Sequence, residues 1–407
     1  MVADFRTLDD VDVAGKRVLV RVDLNVPLEA GTVGDRTRIA RIAPTLRELI
    51  GSGATVIVLS HFGRPKGVVV PEMSLAQVTD ALAEAIGSTV TFLATDWHDI
   101  EDAMSLLDRS DRGTVVLMEN TRFHPGEETN DPAFARILAG LGDIFVNDAF
   151  SAAHRAHAST EGVAHLLPAV AGRAMEAELN ALHQALEAPE RPVAAVVGGA
   201  KISTKLELLG ALSEKVDSLI VGGGMANTFL AAQGKPVGKS LCEHDLLETA
   251  RNMIKTAGDN GCEIVLPRDV VAAKAFEADG EHRVIAVGDI AADEMILDVG
   301  PLSLGDIERV FEQSRTLVWN GPLGAFELTP YDNGTNSAAR SAAVLCKSGK
   351  LRAVAGGGDT VAAINNAGVA DDFTYISTAG GAFLEWLEGK ALPGVLVLQS
   401  TQTKVQG

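Results

Sequence analysis

The glycine pair Gly198 and Gly199, with two lysines behind it, is the stretch of this 407-residue sequence best suited to bind an anion. A valine-rich run, 193–197, ends at the glycines, and a helical pattern follows. Glycines between a strand and a helix let backbone N–H groups approach phosphate, and the helix N-terminus adds partial positive charge. Lys201 and Lys205 are four residues apart, so a helix would place both ammonium groups on one face. The stretch suits a polyphosphate although it lacks a Walker loop. Taken alone, it is better explained by an ordinary βα turn with two solvated lysines.

A set of basic side chains in the first half of the chain suits a small phosphorylated acid. Arginine binds carboxylate and phosphate oxygens in pairs, and Asp23 and Asn25 add groups that bind hydroxyls. In open α/β sheets ligands bind beyond the carboxyl ends of the strands, where the apolar runs place these residues. The alternative is a scatter of surface arginines paired with Asp and Glu, but several basic residues at successive strand ends favour a site. They are Arg21, Arg38, His61, Arg64, Arg122, His154 and Arg155.

In the second half of the chain, several apolar runs end in glycine clusters, whose backbone N–H groups can donate hydrogen bonds. In the GGGDT string, 356–360, the glycines allow close approach to phosphate, Asp359 can hold Mg²⁺ and Thr360 can cap the next helix. An ordinary helix start with an Asp cap is the alternative. Glu327 could accept hydrogen bonds from ribose hydroxyls.

His154 and His157 are three residues apart, which raises the question of a metal site. They lack further ligands at metal spacing, so we interpret them as an anion-binding or a packed pair.

Short apolar runs alternate with longer helical patterns, which predicts parallel sheets with crossover helices. The length predicts two or three domains. A helical pattern between Pro168 and Pro192 could join two domains and carry motion between them. The runs interpreted as strands are 17–25, 55–61, 90–93, 114–120, 143–150, 193–197, 218–224, 263–271, 316–322, 352–358 and 373–378.

The net charge of −19 argues against generic binding to nucleic acid or to an anionic membrane, which needs a basic surface. The N-terminus is acidic where a signal peptide would be apolar, and no run approaches the ~18 apolar residues of a membrane span. Three widely spaced cysteines fit buried thiols in a reducing cytosol. We therefore expect a cytoplasmic protein with no nucleic-acid or membrane partner.

Eight strings, in order and across nearly the whole chain, resemble the phosphoglycerate kinase family. They are RVDLNVP (21–27), SHFGRPKG (60–67), ENTRFHPGE (119–127), NDAFSAAHRAHAST (147–160), GGAKISTKLELL (198–209), VGGGMANTFL (221–230), WNGPLGAFE (319–327) and GGGDT (356–360). One departure is STAGGA, where the family usually has STGGGA, so that Ala379 stands in a glycine position.

The resemblance implies an α/β protein of two Rossmann-like domains, each a parallel sheet with helices on both faces, joined by a hinge helix. The implied domains are a phosphoglycerate-binding domain at 1–171, onto which 391–407 folds back, a hinge helix at 172–189, and a nucleotide-binding domain at 190–390. It also implies a monomer that closes by hinge bending.

The resemblance implies reversible phosphoryl transfer from 1,3-bisphosphoglycerate to ADP, with Mg²⁺ as cofactor and ATP or ADP as co-substrate. It places Arg38, Lys201 and the helix N-termini near Gly357 and Gly380 around the transferred group, and the metal on Asp359. The implied 3-phosphoglycerate site is Asp23, Asn25, Arg38, His61, Arg64, Arg122 and Arg155. The implied nucleotide site is Lys201, Lys205, Gly300, Glu327, Gly357, Gly358, Asp359 and Thr360.

Two other functions share the predicted fold. A dinucleotide-dependent dehydrogenase would need a G-x-G-x-x-G loop and a downstream acid, and neither is evident. A non-catalytic anion-binding or scaffold protein would bind nucleotide without turnover.

Overall fold

The computed structural model describes residues 5–29, 31–95, 97, 100–109 and 113–399. The chain divides into two compact units. Unit 1 comprises the described residues of Met1–Asn180 and Ala391–Gly407, and unit 2 is Ala181–Lys390. The predicted domain boundaries stay predictions, and residues 400–407 of the predicted returning segment lie outside the described residues.

Unit 1 is built on a six-stranded sheet in which every neighbouring pair of strands is parallel. Its strands are β1 (Arg17–Arg21), β2 (Leu28–Glu29), β3 (Thr32–Val33), β4 (Thr55–Leu59), β5 (Val90–Leu93), β6 (Val115–Met118), β7 (Ile144–Asn147) and β8 (Ala169–Ala171). The strand order is β5-β6-β4-β1-β7-β8, and β2 and β3 form a separate hairpin.

The helices of unit 1 are α1 (Thr37–Gly51), α2 (Thr79–Ile86), α3 (Glu101–Asp108) and α4 (Pro132–Gly140). Helix α5 (Arg173–Leu186) crosses the boundary between the units. The central strands read as continuous apolar runs because helices cover both faces of such a sheet. In α1, Ile39, Ile42, Leu46 and Leu49 recur at three- and four-residue steps, so one face of the helix is buried.

Unit 2 contains a second six-stranded parallel sheet and a small antiparallel sheet. Its strands are β9 (Val193–Val197), β10 (Ser218–Val221), β11 (Glu263–Val265), β12 (Asp269–Ala273), β13 (His282–Ala286), β14 (Met295–Val299), β15 (Thr316–Asn320), β16 (Arg352–Gly356) and β17 (Tyr375–Ser377). The parallel sheet has the order β11-β10-β9-β15-β16-β17, and the antiparallel sheet has the order β13-β12-β14.

The helices of unit 2 pack on its sheets, and a last helix belongs to unit 1. They are α6 (Leu206–Ser213), α7 (Gly223–Ala232), α8 (Leu247–Asp259), α9 (Pro301–Gln313), α10 (Asn333–Lys347), α11 (Gly358–Asn366), α12 (Gly380–Leu387) and, in unit 1, α13 (Pro393–Leu396). The C-terminal segment is fixed to unit 1 by Arg6 N, which donates to Leu398 O at 3.0 Å, and by Asn147 Nδ2, which donates to Gly394 O at 3.0 Å.

The prediction of two α/β domains with a parallel sheet each is confirmed, but one predicted strand is wrong. The run 263–271 forms two strands, β11 and β12, which belong to different sheets. Pro267 lies between them, and proline has no N–H with which to continue a ladder. The antiparallel sheet was not predicted because β13 is largely exposed and has no apolar run.

Among the described residues, no helix is long and apolar enough to cross a membrane. The cysteines are all free, as expected, but only Cys262 is buried, while Cys242 and Cys346 are half-buried.

Candidate functional site

In unit 1, the loops that follow β1 and β4 are joined by hydrogen bonds at the carboxyl edge of the sheet. Arg38 Nη1 donates to Asp23 Oδ2 at 3.0 Å and to Asn25 O at 2.8 Å. Asn25 Oδ1 accepts from the backbone N–H of Gly63 at 2.9 Å. Arg38 reaches these groups from the start of α1 and keeps about a third of its side chain exposed. This arrangement presents a positive charge beside a hydroxyl-binding carboxylate and amide.

Arg122 extends the same edge from the loop after β6. Its Nη1 donates to Gly63 O at 2.8 Å. Burial lowers the pKa of Arg122, and the charges of Arg155 and Arg64 lower it further, while Glu128 and Glu127 oppose this. Arg64 and Arg155 are themselves exposed. Mutually repelling arginines at one edge make a site that favours a multiply charged anion.

His61 lies behind this edge and is 8% exposed. Burial lowers its pKa well below the usual range, and the charges of Arg21, Arg122, His157 and Arg38 lower it further. His61 is therefore neutral at physiological pH. All seven residues of the predicted phosphoglycerate site thus lie at or directly behind the carboxyl edge of the unit 1 sheet.

The prediction that Arg21 lies on this edge is wrong. Arg21 is the last residue of β1, is 1% exposed, and points into the unit, where its Nη2 donates to His61 Nδ1 at 2.9 Å. Its guanidinium donates to Ser159 Oγ, Val22 O and His61 Nδ1, and the carboxylates of Glu127 and Asp23 favour its charged form.

The histidine pair of the AHRAHAST string is split between two environments. His157 is buried and its Nδ1 lies 4.0 Å from Glu127 Oε1, and burial lowers its pKa to about 3. His154 Nε2 accepts from Arg155 Nε at 3.1 Å. No group of three or more His, Cys, Asp or Glu side chains among the described residues could hold a metal ion. His157 is 7% exposed, which fits the packed alternative.

In unit 2, Lys205 lies at the carboxyl edge of the parallel sheet, in the turn after β9. Its Nζ donates to Gly198 O at 2.6 Å and to Asn320 Oδ1 at 2.6 Å. Burial lowers the pKa of Lys205 to about 8, and the nearby Asp359 carboxylate opposes the change. The ammonium group of Lys205 is thus fixed by hydrogen bonds and half-buried, and its pKa lies about one unit above neutral pH.

The prediction that Lys201 and Lys205 share one helical face is wrong. Residues Ile202–Thr204 form a 3₁₀ turn, and α6 begins only at Leu206. Lys201 is exposed while Lys205 is anchored. The two lysines therefore differ in mobility and in surroundings.

The loop after β16 has the glycine geometry expected of a phosphate loop. Gly357 has φ 98°, which favours glycine, and a β-carbon there would lie 2.7 Å from Asn320 Nδ2. Helix α11 has no side-chain cap, so the predicted cap by Thr360 and the alternative cap by Asp359 are both wrong. Thr360 Oγ1 instead accepts from Gly321 N at 2.7 Å. The hydroxyl ties two loops together and leaves the exposed Asp359 free of the capping role.

A cleft of about 500 Å³ opens at this edge of unit 2. Lys239, Glu327 and Asp359 line it with charge, and its apolar lining includes Leu241, Phe276 and Leu323. The cleft therefore combines an apolar surface with charged groups, as a site for a base and phosphates requires.

The remaining two predicted glycines differ. Gly300 precedes α9, and a β-carbon there would lie 2.4 Å from Asp269 Cγ, so packing alone explains this glycine. Gly380 begins α12, and a β-carbon there would meet nothing within 4 Å. Space in front of Gly380 is open to a ligand.

Asn320 is a residue of this site that sequence reasoning did not select. Its Oδ1 holds Lys205, and its Nδ2 donates to Gly356 O at 2.8 Å, so it connects the loops after β9 and β16. Asn320 ends β15. The rule that polar residues at strand ends form the site, applied to the first half of the chain, would have found it.

Known proteins are similar to this chain over nearly its whole length. The sequence model of the family described as phosphoglycerate kinase matches residues 8–390. The chain belongs to the phosphoglycerate kinase family. A phosphoglycerate kinase of Sinorhizobium medicae is 61% identical over 396 residues, which cover 97% of this chain and 99% of that protein. One of Zymomonas mobilis is 60% identical over 399 residues, covering 97% and 100%.

Solved structures of the phosphoglycerate kinase family have the same fold. The phosphoglycerate kinase from Coxiella burnetii superposes with a TM-score of 0.90 at 41% identity, covering 97% of this chain and 98% of that one. The enzyme from Pyrococcus horikoshii gives a TM-score of 0.80 at 28% identity over 97% and 98% of the two chains. The chain is thus a kinase of the phosphotransferase class.

Proposed function

We propose that this chain catalyses reversible phosphoryl transfer from 1,3-bisphosphoglycerate to ADP, giving 3-phosphoglycerate and ATP. The proposal is supported by the side chains at the carboxyl edges of the two parallel sheets, one in each unit. One is rich in arginine around Asp23 and Asn25, and the other holds Lys205 beside an apolar cleft. Relatives that are about 60% identical over nearly the full chain are named phosphoglycerate kinase.

The acid substrate would bind at the edge of unit 1. Arg38, Arg64, Arg122 and Arg155 would neutralise its phosphate and carboxylate, because guanidinium groups pair with both. Asp23 and Asn25 would orient the hydroxyl, and neutral His61 would donate a hydrogen bond.

The nucleotide would bind in the cleft of unit 2. Lys205 and the N–H groups of the loop containing Gly357, Gly358 and Thr360 would hold its phosphates. Glu327 would accept from the ribose. Gly300 is the least supported of the nucleotide-binding residues, because its glycine is required by packing against Asp269.

Catalysis would depend on alignment and charge, since the attacking carboxylate is already ionised at neutral pH and needs no general base. Arg38 and Lys201 would flank the transferred group, and the backbone N–H groups at the starts of α11 and α12, near Gly357 and Gly380, would stabilise its equatorial oxygens. The helix starts contribute donors that need no reorganisation during the reaction.

Asp359 fits a role in holding Mg²⁺ together with a nucleotide. It is an exposed carboxylate in the cleft, and Mg²⁺ is usually held by one or two carboxylates with substrate phosphates. The ion would neutralise phosphate charge when bound. In the variant Asp359→Asn, the Mg²⁺ concentration for half-maximal rate should rise because a neutral amide is a weaker ligand. Asp371→Asn, at an exposed position, is the control. An unchanged magnesium titration in Asp359→Asn would remove this carboxylate from the metal site.

We further propose that the protein is a cytoplasmic monomer that works on small molecules, without a nucleic-acid or membrane partner. Its free cysteines and acidic charge support a reducing compartment and no basic docking surface. Sedimentation of the purified chain would measure the oligomeric state.

An assay with ATP, Mg²⁺ and 3-phosphoglycerate, coupled to consumption of the acyl phosphate, tests the proposed activity. Turnover that requires all three components supports it. Nucleotide binding without turnover would instead favour a scaffold protein, and turnover that requires a nicotinamide cofactor without ATP would favour a dehydrogenase.

A further inference from the structure

A buried chain of polar groups connects Glu127 to His61 in unit 1. Glu127 is fully buried in the loop after β6. Its Oε1 accepts from Ser159 Oγ at 2.5 Å, and its Oε2 accepts from Ser159 N at 3.0 Å. Ser159 lies in a single π-helical turn, Ala158–Gly162, a feature often found at functional sites.

The proton positions along this chain follow from the chemistry of its members. Arg21 Nε donates to Ser159 Oγ at 2.9 Å, and a guanidinium only donates. Burial raises the pKa of Glu127, while the charge of Arg21 and the hydrogen bonds from Ser159 and Thr121 lower it. With Glu127 ionised beside Arg21, Ser159 Oγ accepts from Arg21 and gives its one proton to Glu127. In the same way, Arg21 Nη2 can only donate to His61 Nδ1, so Nδ1 must be the unprotonated nitrogen.

We propose that Glu127, Ser159 and Arg21 are positioning residues that hold His61 in its neutral Nε2–H form. This inference deepens the proposed phosphoglycerate site, on which its functional part rests. Among the described residues, no protein group is hydrogen-bonded to His61 Nε2. Its N–H is thus left for the ligand, and His61 is a hydrogen-bond donor rather than another cation.

The surroundings of His61 act in the same direction. The charged and titratable groups that face it are Arg21 on β1, Arg38 on α1, Arg122 after β6 and His157 before the π turn. Burial lowers the pKa of His61 most, and each of these groups lowers it further. Glu127 is the buried acid that offsets the charge of Arg21, whose pKa is otherwise lowered by burial.

The neutral form has a consequence for selectivity. Four arginines supply positive charge to the site, so a donor that cannot titrate near neutrality keeps binding constant as pH changes. The neutral ring donates one hydrogen bond, from Nε2–H, so the fixed direction of this bond determines where a substrate oxygen can accept it. Because the buried hydrogen bond to Nδ1 fixes the tautomer, His61 can bind only a substrate that places an acceptor oxygen at Nε2–H.

The test is nitrogen NMR of the full chain labelled with ¹⁵N-histidine, without ligand, from pH 5.5 to 8.5. We expect His61 to show a protonated Nε2 and an unprotonated Nδ1 throughout. In Ser159→Ala and Arg21→Met, His61 should populate both tautomers or begin to titrate, and KM for 3-phosphoglycerate should rise about tenfold with a smaller change in kcat. Should Arg21→Met fail to fold, Ser159→Ala decides.

Thr121→Val is the matched control. Thr121 Oγ1 shares its one proton between Ser60 O at 3.2 Å and Glu127 Oε1 at 3.3 Å, and among the described residues it has no hydrogen bond to Arg21. Its loss should leave the His61 nitrogen signals unchanged. A protonated Nδ1 in the native chain overturns the inference, as do His61 signals that are the same in Ser159→Ala and the native chain. Because the spectra need no substrate, they give this answer even if the coupled assay shows no kinase activity.

Discussion

Arg38 combines two tasks at one nitrogen, since Nη1 binds both Asp23 and the backbone of Asn25. Among the described residues, no acceptor is hydrogen-bonded to the other guanidinium donors of Arg38, which can bind a ligand. An arginine that is oriented before the ligand arrives loses less entropy on binding. The proposed catalytic role of Arg38 depends on this orientation.

Arg38→Ala should lower turnover by ~10²-fold or more while the chain stays folded, because a donor to the developing charge is lost. Steady-state kinetics with circular dichroism would measure both. Arg36→Ala removes a neighbouring arginine that pairs with Glu84 on the exposed surface, and turnover should not change. Near-normal turnover in Arg38→Ala would exclude it from the catalytic groups.

Lys205 should make nucleotide binding depend on pH. Its pKa of about 8 means that the ammonium form, which binds phosphate, is lost as pH rises past that value. The Kd for ADP should be constant below pH 7.5 and weaken roughly tenfold by pH 9. Titration calorimetry would record it. In Lys205→Met the affinity should be weak at every pH, and a native affinity that stays constant to pH 9 would contradict the assignment.

At the start of helix α12, a substitution can change the stability of the fold and the rate of catalysis independently. Ala379 has φ −96° and ψ 95°, which any L-residue adopts, so the alanine in the family's glycine position introduces no backbone strain. We expect Ala379→Gly to change the rate little and to lower the free energy of unfolding by ~0.5 kcal/mol through unfolded-state entropy. A large gain in rate would show that the alanine distorts the helix start.

Gly380→Ala should lower turnover without lowering stability, in contrast to Ala379→Gly. A β-carbon at Gly380 meets no protein atom, so stability should stay equal or rise by up to ~1 kcal/mol. Turnover should fall, because the methyl group would occupy space in front of phosphate-binding N–H groups. Gly258→Ala in α8, also unobstructed, should change stability alone. Urea unfolding and kinetics on both variants test the pair, and equal rates would remove Gly380 from the site.

Much of this layout could be predicted because parallel strands are marked by continuous apolar runs, and the polar residues after them meet at one edge. Arg38, Arg122 and Lys205 were found in this way or from the family strings. Arg21 was misplaced because a strand's last residue can point inward, and only tertiary structure decides which. The antiparallel sheet was missed because β13 is exposed and lacks the periodicity of a core strand.

For the whole molecule, the two proposed substrates bind to residues of different units, which predicts a coupled motion. In-line transfer needs the reacting atoms ~3 Å apart, and water must be excluded from the acyl phosphate. We expect both ligands together to bring the units closer, with the hinge at the ends of α5. Small-angle scattering should give a smaller radius of gyration with both ligands than with one or none. An equal radius in a fully active preparation would refute closure.

The hydrogen bond from Asn147 to Gly394 links residues 247 positions apart, and it bears on how a ribosome delivers this protein. At 5–20 residues per second, the partner of Asn147 emerges about 12–50 s after it. Unit 2 is one uninterrupted segment and is fully synthesised before that partner appears. Unit 1 can therefore be completed around Asn147 only after all of unit 2 has been synthesised, and the nascent chain must leave Asn147 without this partner until Gly394 has emerged.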